Sequence, residues 1–246
     1  MAKQSGLGDN FYVAGYDLSG DINAVGRIAT PRGVLESTGI DKSAFERLPG
    51  LRDGSMEFTS FFNDADDQEH EALSSLPTTD RILTYCRGTT LGNPAAAMVG
   101  KQINYDGSRG NDGALTLQVS AEANAYGLDW GRQLTAGKRT DSTATNGTGV
   151  DHTTVETAFG WQAYLHVFAF TGTSVTVTLQ DSADNAAWAN LSGGAFAAAT
   201  GRTTERLASA SPTATVRRYL RAITTGTFSN ATFAVMFVRN EAAVSV

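Results

Sequence analysis

Between Gly113 and Asn124 the chain alternates apolar and polar residues one by one. Leu115, Leu117, Val119 and Ala121 fall on one side, and Thr116, Gln118, Ser120 and Glu122 on the other. A side-chain period of two belongs to a β-strand with one buried face; a helix would repeat its apolar stripe every three or four residues. The same rhythm runs through Ser55–Phe62, where Met56, Phe58, Ser60 and Phe62 oppose Glu57, Thr59 and Phe61 behind an Asp53-Gly54 turn pair. Asn10–Leu18, Asp80–Arg87 and Ala95–Tyr105 are further predicted strands. Two short helices fit between them. Asp41–Leu48 has Asp41 as its N-cap, and Asp66–Leu76 sets Asp66 and Glu69 at capping-box spacing.

Lys138–Thr154 (KRTDSTATNGTGVDHTT) is polar, rich in Thr and Gly and without apolar periodicity, so it reads as a linker. The resulting division is a domain over 1–145, a linker at 146–154 and a second domain over 155–246. In that second part Phe159–Thr171, Val175–Gln180, Thr203–Ser209, Val216–Thr225 and Ala231–Arg239 are all strand-like and separated by Gly, Ser and Asn turns. Regularly spaced strands of this kind predict a jelly-roll-like β-sandwich. The expected fold class is mainly β: a β-sandwich or barrel-like N-terminal domain with one or two short helices, followed by the sandwich.

Charge narrows the function. Only 18% of the 246 residues are charged, which suits a surface that is buried against copies of itself. The formal net charge is −6, and residues 1–150 hold 13 basic and 19 acidic residues. Gripping a phosphate backbone requires the opposite balance, because such binding is driven by Lys and Arg displacing counterions. A single cysteine, Cys86, excludes an internal disulfide framework. No apolar run is long enough to cross a bilayer as a helix, and no secretory signal follows Lys3, so the expectation is a chain made in a reducing, cytoplasm-like compartment with no membrane partner.

Residues able to do chemistry are scattered. His70 lies in a charged stretch, His152 in the predicted linker and His166 inside a strand, none with a second ligand at metal-binding spacing. The segment Gly107–Gly113 lacks the spacing of a phosphate-cradling loop and reads as a hairpin. Asp64, Asp66, Asp67 and Glu69 lack the central Gly and distal Glu of a calcium loop and read as a solvated acidic loop. Arg217, Arg218 and Arg221 form the basic cluster, read as a surface or subunit contact. No nucleophile sits beside a base, so neither catalysis, nor a metal, nor a cofactor is expected.

The run from Thr38 to Asn63, with Gly50-Leu-Arg-Asp-Gly54 leading into Met56-Glu-Phe-Thr-Ser-Phe-Phe62, resembles a segment of the major tail (tail-tube) proteins of non-contractile, long-tailed bacteriophages. Tyr16-Asp-Leu-Ser-Gly-Asp21, Tyr105-Asp-Gly107, the strand from Gly113 and Tyr126-Gly-Leu-Asp-Trp130 are similar to the same proteins, so the resemblance covers about residues 10–140. It implies a structural, non-enzymatic virion protein, assembled in the bacterial host cytoplasm. Its homohexameric rings stack into a siphovirus tail tube for genome ejection, with tape-measure and terminator proteins as partners and DNA in non-specific transit. Residues 155–240 resemble β-sandwich modules carried on the outside of phage particles.

On that resemblance Glu57, Thr59, Thr116, Gln118, Ser120 and Glu122 are expected to line the channel. The opposite face, with Met56, Phe58, Leu115, Leu117 and Val119, is expected to pack on the Asp66–Leu76 helix. Asp64, Asp66, Asp67 and Glu69, with Met1–Asn10, are expected at contacts between rings. The alternative is a capsid-decoration or tail-fibre protein binding a host-surface carbohydrate, with Trp188, Trp161 and Tyr164 as aromatic candidates and Trp188 as the surface-binding residue.

Overall fold

The computed structural model describes residues 5–244. The chain opens with β1 (Asn10–Val13), β2 (Tyr16–Asp17), β3 (Ile22–Ala29), β4 (Arg32–Glu36), β5 (Arg47–Arg52) and β6 (Ser55–Phe61), then a short helix α1 (Glu69–Leu73). It continues through β7 (Arg81–Cys86), β8 (Pro94–Gln102), β9 (Asp106–Arg109), β10 (Leu115–Ala123), β11 (Asp129–Gln133) and β12 (Arg139–Asp141). β13 (Val150–Thr157), β14 (Trp161–Ser182), β15 (Ala189–Ala195), β16 (Thr203–Ala208) and β17 (Val216–Arg239) complete it. The fold is mainly β, as the alternating patterns predict.

Two compact units result, and they do not follow the expected order of the chain. The larger gathers residues 5–20, 82–97 and 130–244, and the smaller is made of 21–81 and 98–129. The division at 145–155 fails because both sides of it pair with one strand. β12 runs beside β17 through Arg139↔Phe233, and β13 through Val150↔Leu220. The predicted linker is therefore built into the larger unit. Asp141 is buried there, receiving a bidentate contact from Arg139 (2.8 and 2.6 Å) and the Thr224 hydroxyl at 2.6 Å.

The larger unit is organised by β14 and β17, which pair antiparallel from Trp161↔Arg239 to Ser182↔Tyr219. Four expected strands are thus two long ones, each continuing through irregularities near Gly172 and Phe228 instead of ending there. β16 adds beside the first half of β14 and β15 beside its second half. The core contains Trp161, Leu165, Val177, Leu179, Phe196, Leu220, Phe233 and Phe237, with Trp161 stacked on Phe237 at 5.7 Å between ring centroids. The N-terminal stretch, read as one strand, is the hairpin β1–β2. Ala14 and Gly15 both take positive φ (51° and 84°), the conformation of a tight turn matched to strand twist, with Val13 opposite Tyr16.

In the smaller unit β6 lies between β3 and β10, and β10 pairs in turn with β9 along its first half and with the end of β8 along its second. Met56, Phe58, Leu117, Val119 and Ala121 are buried with Ala72 and Leu73 of α1, while Leu115 at the strand start is 38% exposed and leaves that face. Gly54 is required here by space and not by φ: a Cβ would lie 2.6 Å from the backbone nitrogen of Leu128.

The helix expected over Asp41–Leu48 does not form. Residues 41–46 lie in the connection between β4 and β5, and Arg47 and Leu48 begin β5; among the described residues these strands pair only with each other, through Leu35↔Leu48 and Glu36↔Arg47. A helix of two turns is marginal without a surface to pack on, and none is offered here. The second helix shrinks to α1 and is not capped by Asp66. Instead the Asp21 carboxylate, far away in sequence, accepts from the Glu69 backbone N–H at 3.1 Å and from Asn63 at 2.8 Å.

Candidate functional site

The smaller unit presents three features to solvent: a polar sheet face, an unpaired strand edge and a projecting arm. The face is the outward side of β9, β10, β6 and β3. Directly opposed residues share a side of the sheet, so the register defines cross-strand rows. Gln118 has Thr59 on one side and Asp106 on the other, and Thr59 has Ala24 beyond it. Ser120 faces Glu57, and Glu57 faces Arg27, with which it forms an exposed 3.4 Å ion pair. Thr116 lies between Phe61 and Ser108, and Glu122 between Ser55 and Lys101. All six expected channel-lining residues therefore share one continuous face. Lys101 reaches Asp80 at 2.7 Å and forms no ion pair with Glu122. Phe61, 46% exposed, is an apolar member of this face.

Among the described residues β3 pairs with β6 and with no second strand, so its outer backbone edge is open along residues that are mostly exposed. Exposed edges of this length are templates for another strand. The β4–β5 arm is exposed nearly throughout and carries Val34, Leu35, Ile40, Phe45, Leu48 and Leu51, each more than half exposed. Side chains of this type concentrated on one projection mark an interaction surface.

The acidic loop divides. Asp64, Asp66 and Asp67 are exposed, but Glu69 is fully buried and is not part of the surface. Its carboxylate accepts from the Ser60 hydroxyl at 2.9 Å and the Tyr105 hydroxyl at 3.0 Å, and His70 Nδ1 lies 3.0 Å from the same Tyr105 oxygen. Burial raises the Glu69 pKa, and those hydrogen bonds pull it partly back. Glu69 thus ties α1 to β6 and to the start of β9. Of Met1–Asn10, residues 1–4 lie outside the described residues. Asp9 is anchored to Arg87 at 2.5 Å and to Tyr85, and Leu7 is exposed.

In the larger unit burial favours the neutral form of two histidines and the cysteine, whereas the buried carboxylates Asp141 and Asp181 are paired with Arg139 and Arg217. His166 is buried; its Nδ1 accepts from the Gly15 N–H at 3.2 Å, so Nε2–H donates to Thr84 Oγ1 at 2.9 Å. Burial lowers its pKa to about 3, and burial beside Arg239 does the same to His152. The Cys86 thiol is pushed up to about 12 by burial, which makes it unreactive. Among the described residues no group of three or more His, Cys, Asp or Glu is placed to hold a metal ion, and no helix is long and apolar enough to cross a membrane.

Of the aromatic candidates, Trp161 and Tyr164 are core residues, whereas Trp188 is partly exposed, 4.3 Å above the Arg221 guanidinium. The Arg217–Arg221 cluster is no open basic patch. Arg217 grips Asp181 at 2.6 Å and Arg218 grips Asp151 at 2.7 Å.

No family model and no curated protein matches the chain. Among solved structures it is similar to a chain from the virion of the native gene transfer agent particle, at 14% identity over 52% of this chain and 98% of that one, with a TM-score of 0.42. It is also similar to a chain of the tail of the empty gene transfer agent particle, refined with C6 symmetry, at 15% identity over 52% and 98% with a TM-score of 0.40. A third is the SPP1 Dit protein, described as a paradigm of the hub adsorption apparatus in phages infecting Gram-positive bacteria, at 11% identity over 94% and 99% with a TM-score of 0.35.

Proposed function

We propose that this chain is a structural, non-enzymatic subunit of a phage-type tail that assembles with copies of itself into stacked hexameric rings enclosing a conduit for DNA. The observation that carries the reading is the β4–β5 arm, whose six large apolar side chains stand in solvent in the single chain. A second copy is the occupant that explains them together with the open edge of β3, because strand addition satisfies the edge while the arm buries its apolar surface on the neighbour.

The charge distribution supports a conduit. The smaller unit holds 8 basic and 16 acidic residues, against 11 basic and 9 acidic in the rest of the chain. DNA carries about one charge per 1.7 Å of axis, so a bore rich in lysine would retain it, whereas an acidic or neutral lining lets it pass. In this reading the face with Glu57, Thr59, Thr116, Gln118, Ser120 and Glu122 looks onto the bore, and Asp64, Asp66 and Asp67 meet the next ring. Tape-measure and terminator proteins set the length of such a tube. The test is electron microscopy of the purified full chain at high concentration beside a variant in which residues 33–51 are replaced by a two-residue turn. Rings or tubes from the first and monomers from the second are expected; polymers from both would remove the arm from the assembly mechanism.

A further inference from the structure

In the larger unit, β15, β14 and β17 place Asn190, Gln180 and Arg221 in one cross-strand row, with Gln180 opposite both of the others. The Gln180 amide links the row. Its Nε2 donates to Asn190 Oδ1 at 2.8 Å, and its Oε1 accepts from Arg221 Nε at 2.8 Å and Nη2 at 2.7 Å. Trp188 lies over the guanidinium, with Cζ 4.3 Å from the ring centroid. The loop carrying Trp188 is braced by Asp184, whose carboxylate accepts from Ala186 N, Ala187 N and Ser182 Oγ, each at 2.9 Å. Gly149 leaves room for the indole, since a Cβ there would come within 2.9 Å of its edge.

Arg221 differs from the other three arginines of β17. Arg217, Arg218 and Arg239 each meet a carboxylate: Asp181, Asp151 and Glu241. Arg221 meets a neutral amide and an indole, and among the described residues its Nη1 has no acceptor. Partial burial without a counter-charge lowers its pKa, the mark of a cation whose environment does not fully compensate it. A guanidinium held along one edge by the Gln180 carbonyl oxygen and over an indole, with its Nη1 side left open, can meet the two oxygens of a planar anion. Beside it Trp188 remains partly exposed, and the Asn190 amide nitrogen is an unused donor.

We propose that Trp188, Arg221, Gln180 and Asn190 form a binding subsite for a carboxylate-bearing sugar of an acidic polysaccharide. The carboxylate pairs with Arg221, the ring rests against Trp188 and a hydroxyl accepts from Asn190. This site is independent of the assembly reading and lies in the other unit.

The test is titration of the full chain with oligogalacturonate, followed by calorimetry and by tryptophan fluorescence. The comparison ligands are a neutral malto-oligosaccharide of the same length, poly(glycerol phosphate), and free glutamate at equal carboxylate concentration. Oligogalacturonate should bind at least about tenfold more tightly than the others, the scale of one charge-assisted bidentate contact. Arg221→Gln should remove that preference, and Arg221→Lys should not restore it, because a point charge lacks the fork. Trp188→Ala and Asn190→Ala should weaken binding while leaving the thermal midpoint unchanged, which keeps the test valid if the Arg221 variants fold poorly. Equal affinity for the neutral sugar, tighter binding of the phosphate polymer, equal binding of glutamate or indifference to Arg221→Gln would each overturn the proposal.

Discussion

The two units treat their apolar residues in opposite ways. The larger closes a continuous core around Trp161, Phe233 and Phe237 and, among the described residues, leaves Leu7, Trp130 and Val155 as its exposed large hydrophobic residues. Thirteen of the sixteen such residues among those described lie in the smaller unit, which also carries twice as many acidic as basic residues. The apolar side chains exposed on its arm and the open strand edge are the features on which the proposed assembly with other copies rests. In the proposed function the larger unit supplies folding stability, and the smaller one supplies surfaces for other copies.

That contrast can be broken first in the core. Trp161→Ala removes a fully buried ring stacked on Phe237 and should cost about 3–5 kcal/mol, read as a loss of chemical-denaturation midpoint. Acid should act on the same unit. Because His152 and His166 have folded pKa values of about 3 against an unfolded 6.5, the unfolded chain binds their protons first as pH falls. Stability is therefore complete above the unfolded value and declines from pH 6.5 towards 3, by about 1.4 kcal/mol per pH unit for each histidine. Denaturation midpoints across that range would show it, and His166→Gln should flatten the slope. Glu69, raised in the smaller unit, has the opposite sign and gains stability as pH falls through its folded pKa. Gly54→Ala should cost about 1–3 kcal/mol, since the new methyl meets the Leu128 backbone.

The smallest effects on folding should belong to the arm. Phe45→Ser with Leu48→Ser should change stability by no more than about 0.5 kcal/mol, because both side chains are already in water, yet the pair should abolish assembly in sedimentation. Glu57→Lys should be similarly mild in the single chain, as its partner Arg27 is exposed, and should make assembled material retain DNA in a filter assay.

Much of this was legible in the sequence where one face is buried and its neighbour is not. The alternation at 113–124 and 55–62 predicts β10 and β6 and sorts Glu57, Thr59, Thr116, Gln118, Ser120 and Glu122 onto one face, because a period of two has one structural meaning. Pairing partners carry no such signal. The polar stretch 138–154 looks like a linker because its burial comes from hydrogen bonds, as at Asp141, and not from apolar side chains. Asp41–Leu48 has helix-compatible spacing but no surface to pack on, so the β4–β5 pairing prevails. Glu69 looks like a solvated capping-box acid, and the partners that bury it, Tyr105 and Asp21, lie 36 and 48 residues away.

The division of labour between the units is tested most directly by cryo-electron microscopy of the full chain at high protein concentration. The account predicts closed rings in which β3 of one copy is extended by a strand of the next, the arm is buried between copies and the Glu57–Gln118 face lines the bore. A homogeneous monomer at those concentrations, or a ring with that face on its outer wall, would contradict it.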